Sequence, residues 1–286
     1  MTKNIGKSIR TRLLNLAKKE KEDYMKLLVR YLHERLLFRI SASPYKSHFL
    51  LKGSSLLYAL DEFKARPTID IDLLGEHISN DRENLKGVFQ RVCAIECEDD
   101  GVTFDAASLE LEPIAVEKKY PGTCVKVVAH LDTIVQKVSV DIGFGDVVTP
   151  YPLSLDYPLL SGVPAVELYA YSLETFIAEK FHAMVDRDES NSRMKDFFDV
   201  YQLFTNHEID TELLSEAIVC TFKNRNTPYR ENLALFTDKF AADSTRNVLW
   251  KAFLKKIRWK EQIDFSVVMK CVKENLQEYW SRETLG

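Results

Sequence analysis

The chain has 286 residues and a formal charge of −4, with 45% hydrophobic and 29% charged residues, a composition typical of soluble globular proteins that can bury a sizeable core. The acidic balance excludes wholesale coating of nucleic acid but allows a local basic patch. No apolar run approaches the ~20 residues of a membrane helix, and the polar start lacks a signal-peptide core, so we expect a cytoplasmic protein with no membrane contact.

The first half of the chain predicts helices followed by a mixed sheet. Apolar residues recur at helical spacing from Ile9 to Ile40, which predicts a pair of amphipathic helices within a first domain of residues 1–46. The next domain, residues 47–150, has strand and helix patterns in alternation, and this order predicts a mixed sheet flanked by helices. Its predicted strands are Phe49 to Lys52, Thr68 to Leu74, Val125 to His130 and Thr133 to Phe144, and its predicted helices are Ser54 to Phe63 and Asp81 to Cys97.

The second half, residues 151–286, is predicted to be mainly helical. It follows an irregular connection from Val147 to Pro164, which contains four prolines and little periodicity. Ser172 and Ser192 are predicted to cap the first two helices. The predicted helices are Ser172 to Asp186, Ser192 to Phe204, Thr211 to Thr221, Arg230 to Phe240, Val248 to Arg258 and Phe265 to Tyr279.

The most informative stretch lies between His48 and Leu74. Asp70 and Asp72 are two apart on a predicted strand, so both side chains project from one face, where they can share hard cations such as magnesium. Gly53, Ser54 and Ser55 form a small-residue turn at a helix N-terminus, whose backbone N–H groups suit a phosphate. The alternative is an edge strand with a solvated face. The combination favours a site, because adjacent like charges on a strand repel and the turn has no structural need to be there.

Asp141 is the candidate for a third oxygen ligand. It lies in an apolar strand-like run, where an aspartate would otherwise be costly. The alternative is that Asp141 caps the following Gly-Phe-Gly turn, as aspartates commonly do.

The helical half supplies positive charge for a nucleoside triphosphate. Lys180 lies in an otherwise apolar helix, and Arg193 and Lys195 begin the next one. Asp196 and Asp199, on the same flank of that helix, could orient Lys180 or an acceptor hydroxyl. The alternative is that all five residues form surface salt bridges, each worth ~0–1 kcal/mol.

A basic and aromatic segment lies near the C-terminal end. Three aromatic residues interleave with five basic ones, which suits RNA binding by stacking and phosphate contact. An amphipathic helix that buries its aromatic residues has the same composition. The segment contains Trp250, Lys251, Phe253, Lys255, Lys256, Arg258, Trp259 and Lys260.

These motifs together resemble the AbiEii family of nucleotidyltransferase-like toxins. The resemblance follows the chain in order through the Leu51 to Gly53 turn, the Arg66 to Leu73 motif, the Val140 to Asp146 run, the Glu174 to Lys180 helix and the Asn191 to Asp199 segment. It implies an α+β fold with a DNA polymerase beta-like nucleotidyltransferase core, N-terminal helices and a helical C-terminal domain. It also implies the toxin of a bacterial toxin–antitoxin or phage-defence pair, with a cognate antitoxin as partner.

Relatives among the MenT toxins add nucleotides to the 3′ end of tRNA with magnesium and a nucleoside triphosphate, so the resemblance implies this reaction, with manganese as a second candidate ion. On that pattern Asp70 and Asp72 bind metal, Ser54 holds phosphate, and Lys180 with Asp196 or Asp199 completes the site. We therefore expect these roles from the sequence. Catalytic candidates are Asp70, Asp72, Lys180, Asp196 and Asp199; metal candidates are Asp70, Asp72 and Asp141; nucleotide-binding candidates are Lys52, Gly53, Ser54, Ser55, Arg66, Thr68, Lys180, Arg193 and Lys195.

Two other functions stay open at this point. The acceptor could be a hydroxyl of a protein or of a small molecule, and the labelled product would distinguish these cases. The protein could also bind a nucleotide as a sensor without transferring it. In that case nucleotide would raise thermal stability and no product would form.

Overall fold

The computed structural model describes residues 4–61, 66, 70–114, 122–160 and 165–281. Its contacts divide the chain into two compact units. The first contains residues 1–145 and 153–170, and the second contains residues 146–152 and 171–286. The α+β class is confirmed, while the division into three domains stays a prediction.

The first unit begins with the two predicted helices, α1 (Ile5–Glu20) and α2 (Tyr24–Ser41). Asn4 and Asp23 cap them by accepting hydrogen bonds from backbone N–H groups three residues on. The other α-helices in the described part of this unit are α3 (Gly53–Asp61) and α4 (Arg82–Cys93).

The sheet of the first unit has seven described strands in the order β3-β4-β5-β2-β1-β7-β6. Neighbouring strands are antiparallel except for the β2–β5 and β1–β7 pairs, so the predicted mixed sheet is confirmed. The strands are β1 (Phe49–Lys52), β2 (Ile71–Gly75), β3 (Val102–Ile114), β4 (Gly122–Leu131), β5 (Ile134–Phe144), β6 (Leu153–Tyr157) and β7 (Val166–Ala170).

One face of this sheet forms the core of the unit. Alternate residues of β5, including Val140 and Ile142, are buried, and Phe49 of β1 packs against Phe89 of α4 with ring centroids 5.6 Å apart. The intervening residues of β5 are half-buried or exposed, and Asp141 is one of the half-buried ones. The sheet therefore has one apolar face under helices and one face that carries polar side chains.

Three strands were not predicted. β3 escaped because Ala106, Ala107 and Ser108 break its alternation, and the pairing with β4 shifts register between Asp105 and Glu110. β6 and β7 fall where we expected an irregular connection and a helical half. The prolines of that connection flank β6, an edge strand, so they interrupt no ladder.

The described part of the second unit is helical. Its helices are α5 (Leu173–Arg187), α6 (Met194–Asn206), α7 (Thr211–Asn224), α8 (Asp238–Ala242), α9 (Ser244–Lys256) and α10 (Phe265–Leu276). Ser172 caps α5 as predicted, by accepting a hydrogen bond from the backbone N–H of Thr175. The predicted Ser192 cap is wrong, because α6 begins after Arg193, whose backbone N–H donates to the Asn191 side chain.

The predicted helix from Arg230 to Phe240 is also wrong. Asn232 has a φ of +62°, which a continuous right-handed helix does not allow. The Arg230 guanidinium and carbonyl are instead hydrogen-bonded to Val185 and Trp280. Only a short 3-10 turn over Ala234–Phe236 and helix α8 form there.

Candidate functional site

The candidate site of the first unit is a row of polar residues across the polar face of the sheet. Register pairing joins Lys52 of β1 to Asp72 of β2, Asp72 to Asp141 of β5, and Asp141 to Cys124 of β4. Paired residues on neighbouring strands project from the same face. The fold therefore places Asp72 and Asp141, 69 positions apart in the chain, side by side.

A glycine turn completes this row. Gly53 follows β1 directly and has a φ of +65°, a conformation that L side chains rarely adopt. A Cβ atom at this position would lie 2.1 Å from Oδ2 of Asp72. The turn thus needs glycine for two reasons: its backbone conformation and the approach of the Asp72 carboxylate to the start of α3.

The two serines after Gly53 are buried in the first turn of α3. The Ser55 hydroxyl donates a hydrogen bond of 2.5 Å to the carbonyl oxygen of Asp70, which fixes the backbone just before β2. The burial of the Ser54 side chain leaves the backbone N–H groups of the turn as the candidate phosphate donors. Through its side chain, Ser55 therefore ties the start of α3 to Asp70, the residue just before β2.

The remaining residues of this motif are placed as follows. Asp70 is exposed and immediately precedes β2, and Arg66 is half-buried. Thr68 lies outside the described residues. Among the side chains that the structure describes, no group of three or more His, Cys, Asp and Glu residues is close enough to hold a metal ion. The structure thus brings Asp72 and Asp141 together as strand neighbours, without a three-ligand cluster that includes Asp70.

The donor chemistry of the row fits magnesium. Magnesium is commonly bound by one or two carboxylates, with substrate phosphates and water as its other ligands. Asp72 and Asp141 are such a pair. Lys52 reaches across the row, since its Nζ is 3.9 Å from the position of a Cβ on Gly143 of β5. The row therefore combines oxygen donors for a cation with an ammonium group for a phosphate.

Cys124 extends the row on the far side of Asp141 and was not among the predicted site residues. Burial raises the pKa of this thiol to about 12, and the hydrogen bond and negative charge of Asp141 add to the shift. The thiol therefore stays protonated at neutral pH and donates toward the carboxylate. Only strand register could have revealed this neighbour, because no motif marks it.

The second unit holds the predicted cationic residues around two buried carboxylates. Lys180 of α5 places its Nζ 2.6 Å from Oδ1 of Asp196 and 3.2 Å from Oδ2 of Asp199, both on α6. Arg193 approaches the other oxygen of Asp196 with its Nε at 2.6 Å. Both aspartate side chains have 0% exposure, so the surface salt bridge interpretation is wrong for them.

The neighbours of Asp196 favour the ionised form of its carboxylate. Burial alone would raise its pKa, but the positive charges of Lys180 and Arg193 outweigh burial and lower the pKa below its ordinary value. The Lys180 side chain is 15% exposed, and Lys195 is exposed at the start of α6. The two aspartates thus fix the ammonium group of Lys180, while the Arg193 side chain of the same cluster is 39% exposed.

Carboxylates next to a glycine turn on a sheet are a donor set that metal-assisted phosphoryl transfer can use. Residues 35–270 match the family described as nucleotidyl transferase AbiEii toxin, type IV TA system. The chain belongs to this family of nucleotidyltransferase toxins, as the sequence motifs predicted.

Two solved structures resemble this chain. One is the crystal structure of JHP933 from Helicobacter pylori, with 15% identity, a TM-score of 0.47, and coverage of 90% of this chain and 95% of that chain. The other is a candidate nucleotidyltransferase from H. pylori, with 16% identity, a TM-score of 0.43, and coverage of 84% of this chain and 100% of that one. A comparison with curated proteins gave no match. Within the described residues, no helix has the length and apolarity to cross a membrane.

Proposed function

We propose that this toxin transfers a nucleoside monophosphate from a nucleoside triphosphate to the 3′ hydroxyl of an RNA, tRNA being the first candidate, and that the reaction depends on magnesium or manganese. Membership of the family supports the nucleotidyl transfer. The RNA acceptor is a proposal that rests on the resemblance to the MenT toxins, and the role in phage defence is a proposal that rests on the resemblance to the AbiEii family. A type IV system also implies a cognate antitoxin.

The single observation that carries the proposal is the register pairing of Asp72 with Asp141 beside the Gly53 turn. In the reaction, the acceptor hydroxyl loses its proton to water, its oxygen forms a bond to the α-phosphorus, the bond from the α-phosphorus to the oxygen that bridges to the β-phosphate breaks, and pyrophosphate leaves. Asp72 and Asp141 would hold the magnesium ion, which when bound would offset the negative charge of the triphosphate. The N–H groups of the Gly53 turn and the ammonium group of Lys52 would bind its phosphates.

In the second unit, the cluster around Asp196 and Asp199 would provide a cation at a fixed position, the ammonium group of Lys180. Asp196 and Asp199 would act as positioning residues, because they are fully buried and touch Lys180. Lys180, Arg193 and Lys195 stay as predicted ligands of the triphosphate. Asp70, which is exposed just before β2, stays as a predicted metal ligand.

The test is a labelling assay on the purified full-length protein. Each α-labelled nucleoside triphosphate is added in turn with magnesium and total bacterial tRNA, next to an RNA-free control and the Asp72→Asn variant. We expect label on tRNA from one or more nucleotides, and loss of the label in the variant. Label only on protein or on a small molecule would contradict the RNA acceptor. Nucleotide binding with no product from any acceptor would favour a sensor.

A further inference from the structure

The segment from Ser244 to Lys260 is strongly basic in an acidic chain. It contains six lysines and arginines and no acidic residue, whereas the whole protein has a charge of −4. Arg246 is used within the fold, because it pairs with Asp243 and its guanidinium lies 3.9 Å from the ring centre of Phe240. The other five, Lys251, Lys255, Lys256, Arg258 and Lys260, are exposed, and we call them the cationic strip.

The cationic strip has no acidic partner among the residues that the structure describes. In the part of the chain that the structure describes, none of its five side chains forms an ion pair or a hydrogen bond. Lys251 and Lys255 are four apart on α9, a spacing at which like charges destabilise a helix by ~0.2–0.5 kcal/mol. The C-terminal end of the helix dipole favours lysines in the last turn of α9, which explains the positions of Lys255 and Lys256. It does not explain Arg258 and Lys260, which lie beyond the helix.

The aromatic residues of the same segment are used for packing. Phe198 of α6 contacts three of them, with ring centroids 6.2 Å from Trp250, 5.6 Å from Phe253 and 5.0 Å from Trp259. The amphipathic interpretation of the sequence thus holds for the aromatic residues, and the basic residues remain outside. Because Phe198 lies between Asp196 and Asp199 in sequence, this packing fixes the cationic strip to the helix that holds Lys180 in place.

The end of α9 also has a defined backbone. Arg258 has a φ of +56°, and the N–H of Trp259 returns to the carbonyl of Leu254 at 3.0 Å. The chain therefore turns at a fixed position, and the exposed Arg258 and Lys260 lie at this turn and just after it. With a rise of 1.5 Å per residue, the distance along α9 from Lys251 to Lys256 is ~7.5 Å, enough to contact two or three phosphates of one RNA strand.

We propose that the cationic strip binds the phosphate backbone of the acceptor RNA. This inference rests on the proposed function, since it assigns the surface that holds its acceptor. RNA fits better than an acidic protein, because lysine is depleted from the centres of protein interfaces and is a regular ligand of nucleic-acid phosphates. Such contacts carry no base information, so the strip would orient RNAs of many sequences.

The test is RNA affinity as a function of salt, measured by fluorescence anisotropy with labelled tRNA and the full chain. The strip variant carries Lys251→Gln, Lys255→Gln and Lys256→Gln. The matched control carries Lys18→Gln, Lys19→Gln and Lys21→Gln, exposed lysines of the first unit that lie next to Glu20 and Glu22 in sequence. Both variants change the charge by the same amount. Thermal unfolding with and without nucleoside triphosphate checks that each variant folds.

We expect the strip variant to bind tRNA at least about tenfold more weakly at 0.1 M salt, and the slope of log affinity against log salt to fall by ~2, at 0.7–0.9 per lost phosphate contact. The control should stay within about twofold of the wild type. Equal affinity of the strip variant and the control would overturn the inference but leave the proposed function standing. No RNA binding by the wild type would overturn the inference; the proposed function fails as well only if the labelling assay also leaves RNA unlabelled. Equal competition by poly-aspartate and RNA would overturn it in favour of an acidic protein partner.

Discussion

The two units of this toxin each bring two aspartates together, and they do so in opposite environments. Asp72 and Asp141 are half-buried strand neighbours on the polar face of the sheet, next to a glycine turn. Asp196 and Asp199 have no exposure at all and are neutralised by Lys180, with Arg193 adding to Asp196. The same residue type thus serves two purposes. The first pair, Asp72 and Asp141, is placed where it could bind an ion and a substrate. The second pair, Asp196 and Asp199, holds Lys180 in one position.

The comparison shows why a carboxylate motif alone does not define a role. A buried carboxylate must be compensated within the fold, and once compensated it has little capacity left for an external cation. A half-exposed strand carboxylate costs less to keep charged and remains within reach of solvent ions. We therefore expect substitutions in the first pair to affect chemistry and substitutions in the second pair to affect stability.

The largest effect should come from Asp72→Asn. Loss of a metal-binding carboxylate removes several kcal/mol of transition-state stabilisation, so transfer activity should fall at least about a thousandfold. Stability should hardly change, because the side chain is half-buried and the substitution is isosteric. The measurements are the rate of label transfer and the urea unfolding curve. Glu112→Gln, at the exposed end of the same row, is the matched control and should keep its activity.

For Asp196→Asn we expect the main effect on stability, the reverse of Asp72→Asn. Removing this buried charge leaves Lys180 and Arg193 poorly compensated and should lower the free energy of unfolding by about 3 kcal/mol. Urea titration followed by circular dichroism measures the change. Asp238→Asn, at an exposed position of the same unit, should change it by less than about 0.5 kcal/mol. If the two variants were equally stable, the buried cluster would not have the role assigned to it.

Gly53→Ala tests whether the close approach of the Gly53 turn to the Asp72 carboxylate matters. An L residue at a φ of +65° costs about 1–2 kcal/mol, and the new Cβ must displace the Asp72 carboxylate. Both stability and activity should therefore fall. Gly87→Ala is the control, since a Cβ there meets nothing within 4 Å and α4 should tolerate it. Full activity of Gly53→Ala would show that the Asp72 position is not critical.

The smallest effect concerns acid stability. The pKa of Asp196 is lower in the folded protein than its ordinary value of 3.8, so its contribution to stability is full above about pH 4 and is lost as the pH falls through the folded value. Below pH 4, the wild type should therefore lose stability more steeply than Asp196→Asn. Unfolding curves between pH 3 and pH 6 measure this difference. Parallel pH profiles would mean that the cations do not favour the charged form of Asp196.

Much of the fold and part of the site were predictable from the sequence. Amphipathic spacing predicted α1 and α2, and the Lys52 to Asp72 motif predicted β1, α3 and β2 in order. The strands β6 and β3 were missed, because the prolines around β6 indicated an irregular connection and the alternation of β3 is interrupted at Ala106, Ala107 and Ser108. Both are edge strands, each paired with the next strand along the chain, and this pairing is not visible in their own residue pattern.

The same limit applies to the site. Sequence reasoning selected Asp72, Asp141 and Lys180, and the structure explains the positions of all three. Asp196 and Asp199 are buried, unlike the exposed candidate residues. The strand register also places Cys124 next to Asp141 in the row of the first unit. Both properties depend on residues far away in the chain, so neither could be read from the motifs.

The most direct test of the contrast between the two pairs is Mn²⁺ binding followed by electron paramagnetic resonance in the presence of nucleoside triphosphate. Titrations would compare the wild type with Asp72→Asn, Asp141→Asn and Asp196→Asn, each shown to be folded under the assay conditions. We predict that protein-dependent Mn²⁺ binding is lost or weakened at least about tenfold in the first two variants and retained in the third. Unchanged binding in Asp72→Asn and Asp141→Asn, or equal loss in the folded Asp196→Asn protein, would contradict the assignment of the ion to the strand pair.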